Sequence, residues 1–213
     1  MTPVHFIRRC YGYAILSYGN DVKTIDITYR NWTKHVNNAL ESMRIQNSIA
    51  NLAVRDALTG VYSRTGIERN IQSLVDRMSD PKNKFFIAIG DLDGLKKIND
   101  NFGHNSGDVA IKAIADAFMA SAKNHEICAR IGGDEFVIIG CNDYSDNYPE
   151  RFAARVHDRL EVYNKFADNE FETAVSIGGV CRRITDIHEL EDMFTQADKI
   201  MYANKKERHK NRK

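Results

Sequence analysis

The sequence lacks the features that would direct it to a membrane or to nucleic acid. No apolar run is long enough to span a bilayer, and no signal-peptide pattern follows Met1. The 30 lysines and arginines nearly balance the 29 acidic residues, which leaves a formal net charge of +1. Such a balance gives no general attraction to phosphate backbones or lipid surfaces. We therefore expect a cytoplasmic protein with no nucleic-acid partner and no membrane segment in this chain.

Cysteine is also scarce, and its spacing excludes a paired-thiol metal site. The four cysteines are scattered and form no Cys-x-x-Cys pair, so we interpret them as reduced, small apolar residues. There is no internal repeat, and only residues 205–213 are strongly biased, toward basic side chains. The length of 213 residues suffices for one well-buried domain with a smaller attachment.

Two short apolar runs, 127–129 and 136–139, flank a Gly-Gly pair. The runs have strand composition, and glycine enters positive φ without steric cost, so the pattern predicts a tight β-hairpin. Asp134 and Glu135 would stand at its tip, while Gly132 and Gly133 would leave room for a ligand. Taken alone, the motif also fits a solvated turn.

A second acidic segment lies upstream of this hairpin. Asp91 and Asp93 directly follow the apolar run 85–89, which has the length and composition of a buried strand. Carboxylates at a strand end, combined with carboxylates at a hairpin tip, supply the oxygen ligands that Mg²⁺ prefers. The two segments together favour a metal-bound polyphosphate as ligand.

The chain divides into three parts. Residues 1–28 contain two strand-like segments, too few for an independent sheet, and we interpret them as the tail of an upstream sensory domain or a small piece that packs on a partner. Residues 29–55 carry apolar side chains at intervals of three and four, which predicts one amphipathic helix. That helix fits either a parallel dimeric connector, which we favour, or a helix packed on its own domain. Residues 56–213 would form the main domain.

Four motifs in this last part, in order and spacing, resemble the GGDEF family, the catalytic module of bacterial diguanylate cyclases. They are Asp-Ala-Leu-Thr-Gly at 56–60, Asp-Leu-Asp to Gly-Asp at 91–108, Gly-Gly-Asp-Glu-Phe at 132–136, and Ala-Asp to Asn-Lys at 197–205. The departures from the family pattern are Val61, Ser63, Leu95 and His209.

The order of predicted elements is strand, helix, two hairpin strands, helix, strand and helix. This order predicts an α+β, ferredoxin-like βαββαβ domain of the nucleotidyl-cyclase and polymerase-palm type, preceded by the connector helix. The resemblance implies that two GTP molecules condense to cyclic di-GMP and two pyrophosphates, and that the enzyme acts as a homodimer. Two alternatives stay open: a GGDEF-like module that binds GTP without catalysis, and a palm-fold cyclase that makes a mononucleotide.

The resemblance also implies roles for individual residues. Mg²⁺ or Mn²⁺ would be held by Asp91, the backbone carbonyl of Leu92, Asp134 and Glu135, and Asp134 or Glu135 would be catalytic. GTP would contact Asn99, Asp108, Lys96, Gly132, Gly133 and Lys205. An Arg-x-x-Asp product site is common in the family, whereas this chain has Lys123 and Glu126 at those positions. We therefore expect weak or absent product inhibition.

Other residues in the motifs fit structural roles. Asn99 and Asp108 also fit turns or helix caps, with Asp108 beginning a helix over 109–121. We assign structural roles to Asp93, Asp100 and His104, and we expect Arg130 to brace the hairpin. Ser63 should cap a helix reaching about residue 79. Residues 143–149 are predicted as a polar loop, 150–166 and 187–206 as helices, and 208–213 as a solvated tail.

Overall fold

The structure, a computed structural model, describes residues 2–6, 9–14, 27–52 and 54–211. The chain forms two compact units, Met1–Leu52 and Ala53–Lys213. In the first unit, β1 (Thr2–Phe6) pairs antiparallel with β2 (Arg9–Ala14). This confirms the strands predicted at 4–7 and 11–16, apart from residues 7, 15 and 16, which lie outside the described ranges.

The predicted connector helix is present as α1 (Ile27–Leu52). Its 26 residues give a length of about 39 Å at the usual rise of an α-helix. Leu40 and Met43, which belong to the apolar stripe, are 37% and 61% exposed. Residues 54 and 55, predicted as its last residues, are not helical.

The second unit is built on one mixed sheet. Its strands are β3 (Tyr62–Ser63), β4 (Lys84–Leu92), β5 (Ile127–Arg130), β6 (Glu135–Asn142) and β7 (Val175–Arg182). They lie in the order β3-β5-β6-β4-β7, with β3 parallel to β5 and every other pair antiparallel. The last four strands have the ferredoxin-like order, so the predicted fold class is confirmed.

Helices cover both faces of this sheet. They are α2 (Arg64–Asn70), α3 (Gln72–Val75), a 3₁₀ turn (Asp76–Ser79), α4 (Leu95–Phe102), α5 (His104–Ser121), α6 (Tyr148–Phe166) and α7 (Glu189–Asn211). Side chains alternate across β4: Phe86 and Ala88 pack with α5 and α6, whereas Phe85 and Ile87 pack with α3 and α7. Burial on both faces explains why the sequence of β4 is a continuous apolar run with no alternation of polar residues.

Several predicted boundaries are wrong. The helix expected to end near residue 79 is divided into α2, α3 and the 3₁₀ turn, although Ser63 caps α2 as predicted, by accepting a hydrogen bond from Gly66 N at 3.2 Å. Asp108 does not begin a helix, because α5 already starts at His104. Gly103, with φ of +86°, separates α4 from α5, and a left-handed residue there favours glycine.

The predicted polar loop at 143–149 is also wrong in part. Tyr144, Tyr148 and Pro149 are buried, and α6 begins at Tyr148, two residues earlier than predicted. The Tyr144, Tyr148 and Phe152 rings contact the Phe86 ring edge-on, with centroids 5.7, 4.8 and 5.4 Å away. Aromatic packing therefore extends the core under a segment whose neighbouring residues are polar.

Candidate nucleotide and metal site

Two of the predicted acidic residues face each other across neighbouring strands. In the antiparallel pairing of β4 with β6, Asp91 lies opposite Glu135. Directly opposite residues hold their Cβ atoms roughly 5 Å apart on one face of a sheet. The Leu92 amide donates to the Asp134 carbonyl at 3.0 Å, so the loop that carries Asp134 is hydrogen-bonded to the end of β4.

The hairpin is present, but its loop differs from the predicted tight turn. Four residues, Ile131 to Asp134, connect β5 to β6, and neither glycine has a positive φ. A Cβ at Gly132 would lie 2.6 Å from Glu135 Oε2, whereas a Cβ at Gly133 would meet nothing within 4 Å. Any side chain at Gly132 would therefore displace the Glu135 carboxylate from its position, whereas Gly133 leaves open space.

Arg130 braces the hairpin, as predicted. Its Nη2 and Nε donate to the Gly133 carbonyl at 2.6 and 3.2 Å, and its Nη1 donates to Asp56 Oδ1 at 3.1 Å. Asp56 Oδ1 also accepts from the Thr59 amide and hydroxyl, at 3.0 and 2.6 Å. Burial alone would raise the pKa of Asp56, but the hydrogen bonds from Thr59 and Arg130 lower it overall.

The last helix supplies a cation to the acidic pair. Lys205 Nζ forms an ion pair with Asp91 Oδ1, although the two residues are far apart in sequence. Burial raises the pKa of Asp91, the charges of Asp134 and Asp93 act in the same direction, and Lys205 opposes them. Lys205 therefore offsets part of the negative charge that these carboxylates bring together.

The predicted guanine-binding residues belong to the α4 and α5 pair. Asn99 lies on α4, and its Oδ1 is buried without a hydrogen-bond partner among the described residues. A Cβ at Gly107 would come within 2.0 Å of that oxygen, so glycine is needed beneath the amide. Asp108 follows Gly107 and is exposed, and Lys96 is exposed in the first turn of α4. An amide oxygen without a partner can still accept a hydrogen bond.

Asp93 has the structural surroundings expected of it. It is 6% exposed, its Oδ1 accepts from the Ser176 hydroxyl at 2.8 Å, and its amide donates to the Ala174 carbonyl at 2.8 Å. Asp100 and His104 are exposed, with His104 at the start of α5. Asp93 is therefore buried behind the site and fixed to β7.

The prediction of a frayed tail from residue 208 is wrong. Helix α7 continues to Asn211, and Arg208 Nη1 donates to the Val175 carbonyl at 2.9 Å. Its Nη2 lies 2.9 Å from His157 Nε2, and its Nη1 lies 3.6 Å from Asp93 Oδ2. Sequence reasoning missed His157, because it lies in no matched motif, and it assigned Arg208 to the solvated tail.

Lys123 and Glu126 lie at the positions of the family's product site. Both contact a pair of buried tyrosines, Tyr144 and Tyr148. Glu126 Oε1 accepts from the Tyr144 and Tyr148 hydroxyls at 2.8 and 2.7 Å, and Oε2 accepts from the Lys123 amide at 2.8 Å. Lys123 Nζ lies 4.5 Å from the Tyr148 ring centroid. Both side chains therefore already have partners within the domain.

The acidic groups alone do not make a closed metal site. Among the described residues, no three carboxylate, histidine or thiolate side chains converge closely enough to hold an ion. Magnesium commonly uses one or two carboxylates and completes its shell with waters and substrate phosphates. Asp91 and Glu135, which lie opposite each other in the sheet, fit the kind of site that waters and substrate phosphates complete.

Comparisons with known proteins agree with this fold. Residues 53–212 match the family model described as diguanylate cyclase, GGDEF domain. The solved structures that resemble this fold include diguanylate cyclase SiaD from Pseudomonas aeruginosa in complex with its activator SiaC, with a TM-score of 0.62 and 22% identity. The match covers 84% of this chain and 69% of SiaD, and at that identity it supports the fold.

Two relatives with different activities share the sequence pattern. The probable diguanylate cyclase DgcJ of Escherichia coli (strain K12) is 33% identical over 170 residues, 78% of this chain and 32% of DgcJ. The cyclic di-GMP phosphodiesterase PdeR of the same organism is 30% identical over 138 residues, 65% of this chain and 20% of PdeR.

The chain belongs to the GGDEF family, because the family model covers most of its length. This chain spans about a third or less of the length of the first relatives it matches. No helix among the described residues is both long and apolar enough to cross a membrane.

Proposed function

We propose that this chain is a diguanylate cyclase that joins two GTP molecules into cyclic di-GMP and releases two pyrophosphates. The observation that carries the proposal is the pairing of Asp91 with Glu135 across β4 and β6, with Lys205 bound to Asp91. Two facing carboxylates beside a lysine can accommodate a divalent cation together with a triphosphate. Membership of the GGDEF family supports the same reaction.

The guanine base is bound between α4 and α5. The buried Asn99 oxygen without a partner and the exposed Asp108 carboxylate provide hydrogen-bonding groups at adjoining points of the two helices. A carboxylate can accept from guanine N1–H and the exocyclic amine, and an amide can both donate and accept. Adenine would leave these protein groups unpaired, so the pocket selects guanine by the cost of unmade hydrogen bonds.

The acidic residues and lysines handle the phosphates. Asp91, Glu135 and the Leu92 carbonyl hold Mg²⁺ or Mn²⁺, with Asp134 as a further ligand or as the proton acceptor. A bound divalent cation would lower the pKa of the attacking hydroxyl and neutralise phosphate charge. Lys205 and Lys96 contact the triphosphate and stabilise the departing pyrophosphate, and Gly132 and Gly133 allow the hairpin backbone to approach the nucleotide.

The reaction balances without any further reagent. The 3′-oxygen of one GTP attacks the α-phosphorus of the other, and the bond from that phosphorus to pyrophosphate breaks. The hydroxyl proton passes to Asp134, the last residue of the hairpin loop, or to Glu135, the first residue of β6. A second, equivalent step closes the ring and releases the second pyrophosphate.

Catalysis requires two copies of the chain, since each domain has one such site and the product needs two nucleotides. The exposed Leu40 and Met43 on α1 support a parallel helical contact between copies. In this proposal α1 connects an upstream sensory domain to the catalytic domain, and a change in its geometry sets whether the two sites face each other.

The decisive experiment combines a Glu135→Gln variant with product analysis. The purified protein is incubated with GTP and Mg²⁺, and nucleotides are separated by chromatography. We expect cyclic di-GMP from the parent, none from Glu135→Gln, and retained GTP binding, because the amide keeps the shape of the side chain but loses its charge. Glu150→Gln makes the same change at an exposed position on α6 and should keep parental activity.

Each other outcome has a defined meaning. Full cyclase activity in Glu135→Gln would refute the assigned roles. A parent that binds GTP without turnover would instead be a GTP-binding or receptor module. A cyclic mononucleotide as the only product would mean a different enzyme on the same fold.

A further inference from the structure

The buried carboxylate of Asp93 is only partly compensated by its neighbours. Ser176 donates to Oδ1, but Oδ2 is buried and has no hydrogen-bond partner among the described residues. The nearest cation is Arg208, whose Nη1 lies 3.6 Å from Oδ2. A buried carboxylate with one hydrogen bond is costly unless a positive charge lies nearby, so Arg208 stabilises the position of Asp93 and is held by it.

Arg208 is fixed in place by three groups from different elements. Its Nη1 donates to the Val175 carbonyl on β7, and its Nη2 lies 2.9 Å from His157 Nε2 on α6. Burial lowers the pKa of His157, and the charge of Arg208 lowers it further, which favours a neutral ring; its Nε2 lies beside both the guanidinium and the Val175 carbonyl, 3.1 Å from the latter. The Arg208 guanidinium is therefore directed toward α6 and β7.

These contacts lie on the same part of α7 as Lys205. Met201 is the last buried apolar residue of the helix. Beyond it, three polar side chains join α7 to the sheet: Asn204 donates to the Ile177 carbonyl at 2.7 Å, Lys205 pairs with Asp91, and Arg208 bonds the Val175 carbonyl. A helix end without such contacts frays, and Lys205 would lose its fixed distance from Asp91.

We propose that Arg208 is a positioning residue: by bonding Val175 and compensating Asp93, it holds the end of α7 so that Lys205 stays at the triphosphate site. This inference rests on the proposed function, in which Lys205 contacts the triphosphate. Arg208 acts on the nucleotide through Lys205, since its own guanidinium is engaged by Val175 on β7 and His157 on α6. Loss of Arg208 should therefore weaken nucleotide affinity more than it slows the chemical step.

The test compares Arg208→Ala with Lys210→Ala, which removes the same charge from an exposed position of α7. Kinetics of cyclic di-GMP formation give kcat and KM for GTP. Equilibrium binding of 3′-deoxy-GTP, which has no attacking hydroxyl, gives affinity without turnover. We expect Arg208→Ala to raise KM and the Kd of the analogue about tenfold, the worth of one hydrogen bond to a charged group, with little change in kcat. Lys210→Ala should match the parent.

Two further variants separate positioning from general stability. Adding Asp93→Asn to Arg208→Ala should restore part of the lost affinity, because the uncompensated charge is removed, so the two changes will not be additive. Thermal unfolding followed by circular dichroism gives the folded fraction for each protein. If Arg208→Ala does not fold, Arg208→Lys, which keeps a cation near Asp93, is measured in the same way and should raise the Kd.

The inference would be overturned by a parental KM and Kd in Arg208→Ala, or by an equal loss in Lys210→Ala. It would also be overturned if the affinity per folded molecule were unchanged, since Arg208 would then serve stability alone. A parent that binds 3′-deoxy-GTP but makes no cyclic di-GMP would refute the proposed function, while the binding series would still decide the role of Arg208.

Discussion

Replacing Arg130 by alanine tests whether the acidic hairpin depends on the first motif of the domain. The guanidinium connects Asp56 in the Asp-Ala-Leu-Thr-Gly turn with the Gly133 carbonyl in the hairpin loop. The two charged side chains are 14% and 24% exposed, so water screens their interaction only in part. The variant therefore removes a largely protected bridge between two distant segments.

The size of the effect follows from the bonds that are lost. A hydrogen bond to a charged group contributes about 1.5–3 kcal/mol, and one to an exposed carbonyl contributes about 0.5–1.5 kcal/mol. We therefore expect Arg130→Ala to lower the free energy of unfolding by about 3 kcal/mol. For a domain of this size, that corresponds to a fall in Tm of about 9 °C.

Thermal and urea unfolding measure this loss, and Asp56→Asn completes a double-mutant cycle. The coupling between Arg130 and Asp56 should account for at least half of the effect of the single variant. Arg159→Ala removes an exposed arginine from α6 and is the matched control. A Tm for Arg130→Ala within measurement error of the parent, or a coupling near zero, would refute the bridging role.

The same variant should also lose activity at temperatures where it remains folded. Without Arg130, the Gly133 carbonyl loses both of its side-chain donors, and the loop that carries Asp134 is held by backbone hydrogen bonds alone. Cyclase assays well below the Tm would detect this loss. Parental activity there would mean that the backbone bonds suffice to position the loop.

Three further predictions concern stability and regulation. The free energy of unfolding should fall as the pH drops below about 6.5, because burial and Arg208 lower the pKa of His157 in the folded protein and the unfolded chain takes up the proton first. In urea titrations, His157→Gln should lose less stability with falling pH than the parent does. The exposed His188→Gln should lose as much as the parent. Cyclic di-GMP should bind weakly, since Lys123 and Glu126 already have partners, and tight calorimetric binding lost on changing both would contradict this. Gly178→Ala should lower the free energy of unfolding by about 3 kcal/mol or more, because the new Cβ would lie 2.1 Å from Met201 N and 2.3 Å from the Ala197 carbonyl oxygen on α7. A urea midpoint equal to that of the parent would contradict that close contact.

Much of the sheet could be predicted from local pattern alone. The apolar run of β4 is buried on both faces, and the hairpin strands flank a glycine pair, so the sequence carries both signals directly. The position of Asp91 opposite Glu135 could not be predicted from local pattern. It depends on the register between β4 and β6, which is set by packing over the whole strand.

Other features depend on tertiary contacts that leave no local signal. Strand β3 has two residues and exists because it pairs with β5. Tyr144 and Tyr148 lie in a segment of polar composition, yet both are buried because Glu126 accepts their hydroxyl hydrogen bonds. A tyrosine next to Asp, Ser and Asn is ordinarily read as a loop residue, and only the distant glutamate makes burial favourable.

The end of α7 was wrongly predicted as a solvated tail, because its basic composition concealed a helical period. Buried Met193, Ala197 and Met201 recur at intervals of four, and the same interval continues to Lys205. Arg208 follows three residues later, so both cations lie on the stripe that faces the sheet. A run of basic residues stays solvated when no acidic group lies opposite the helix face that its side chains share. Here Asp91 lies opposite Lys205 and Asp93 lies opposite Arg208, and the composition of the helix alone could not indicate these partners.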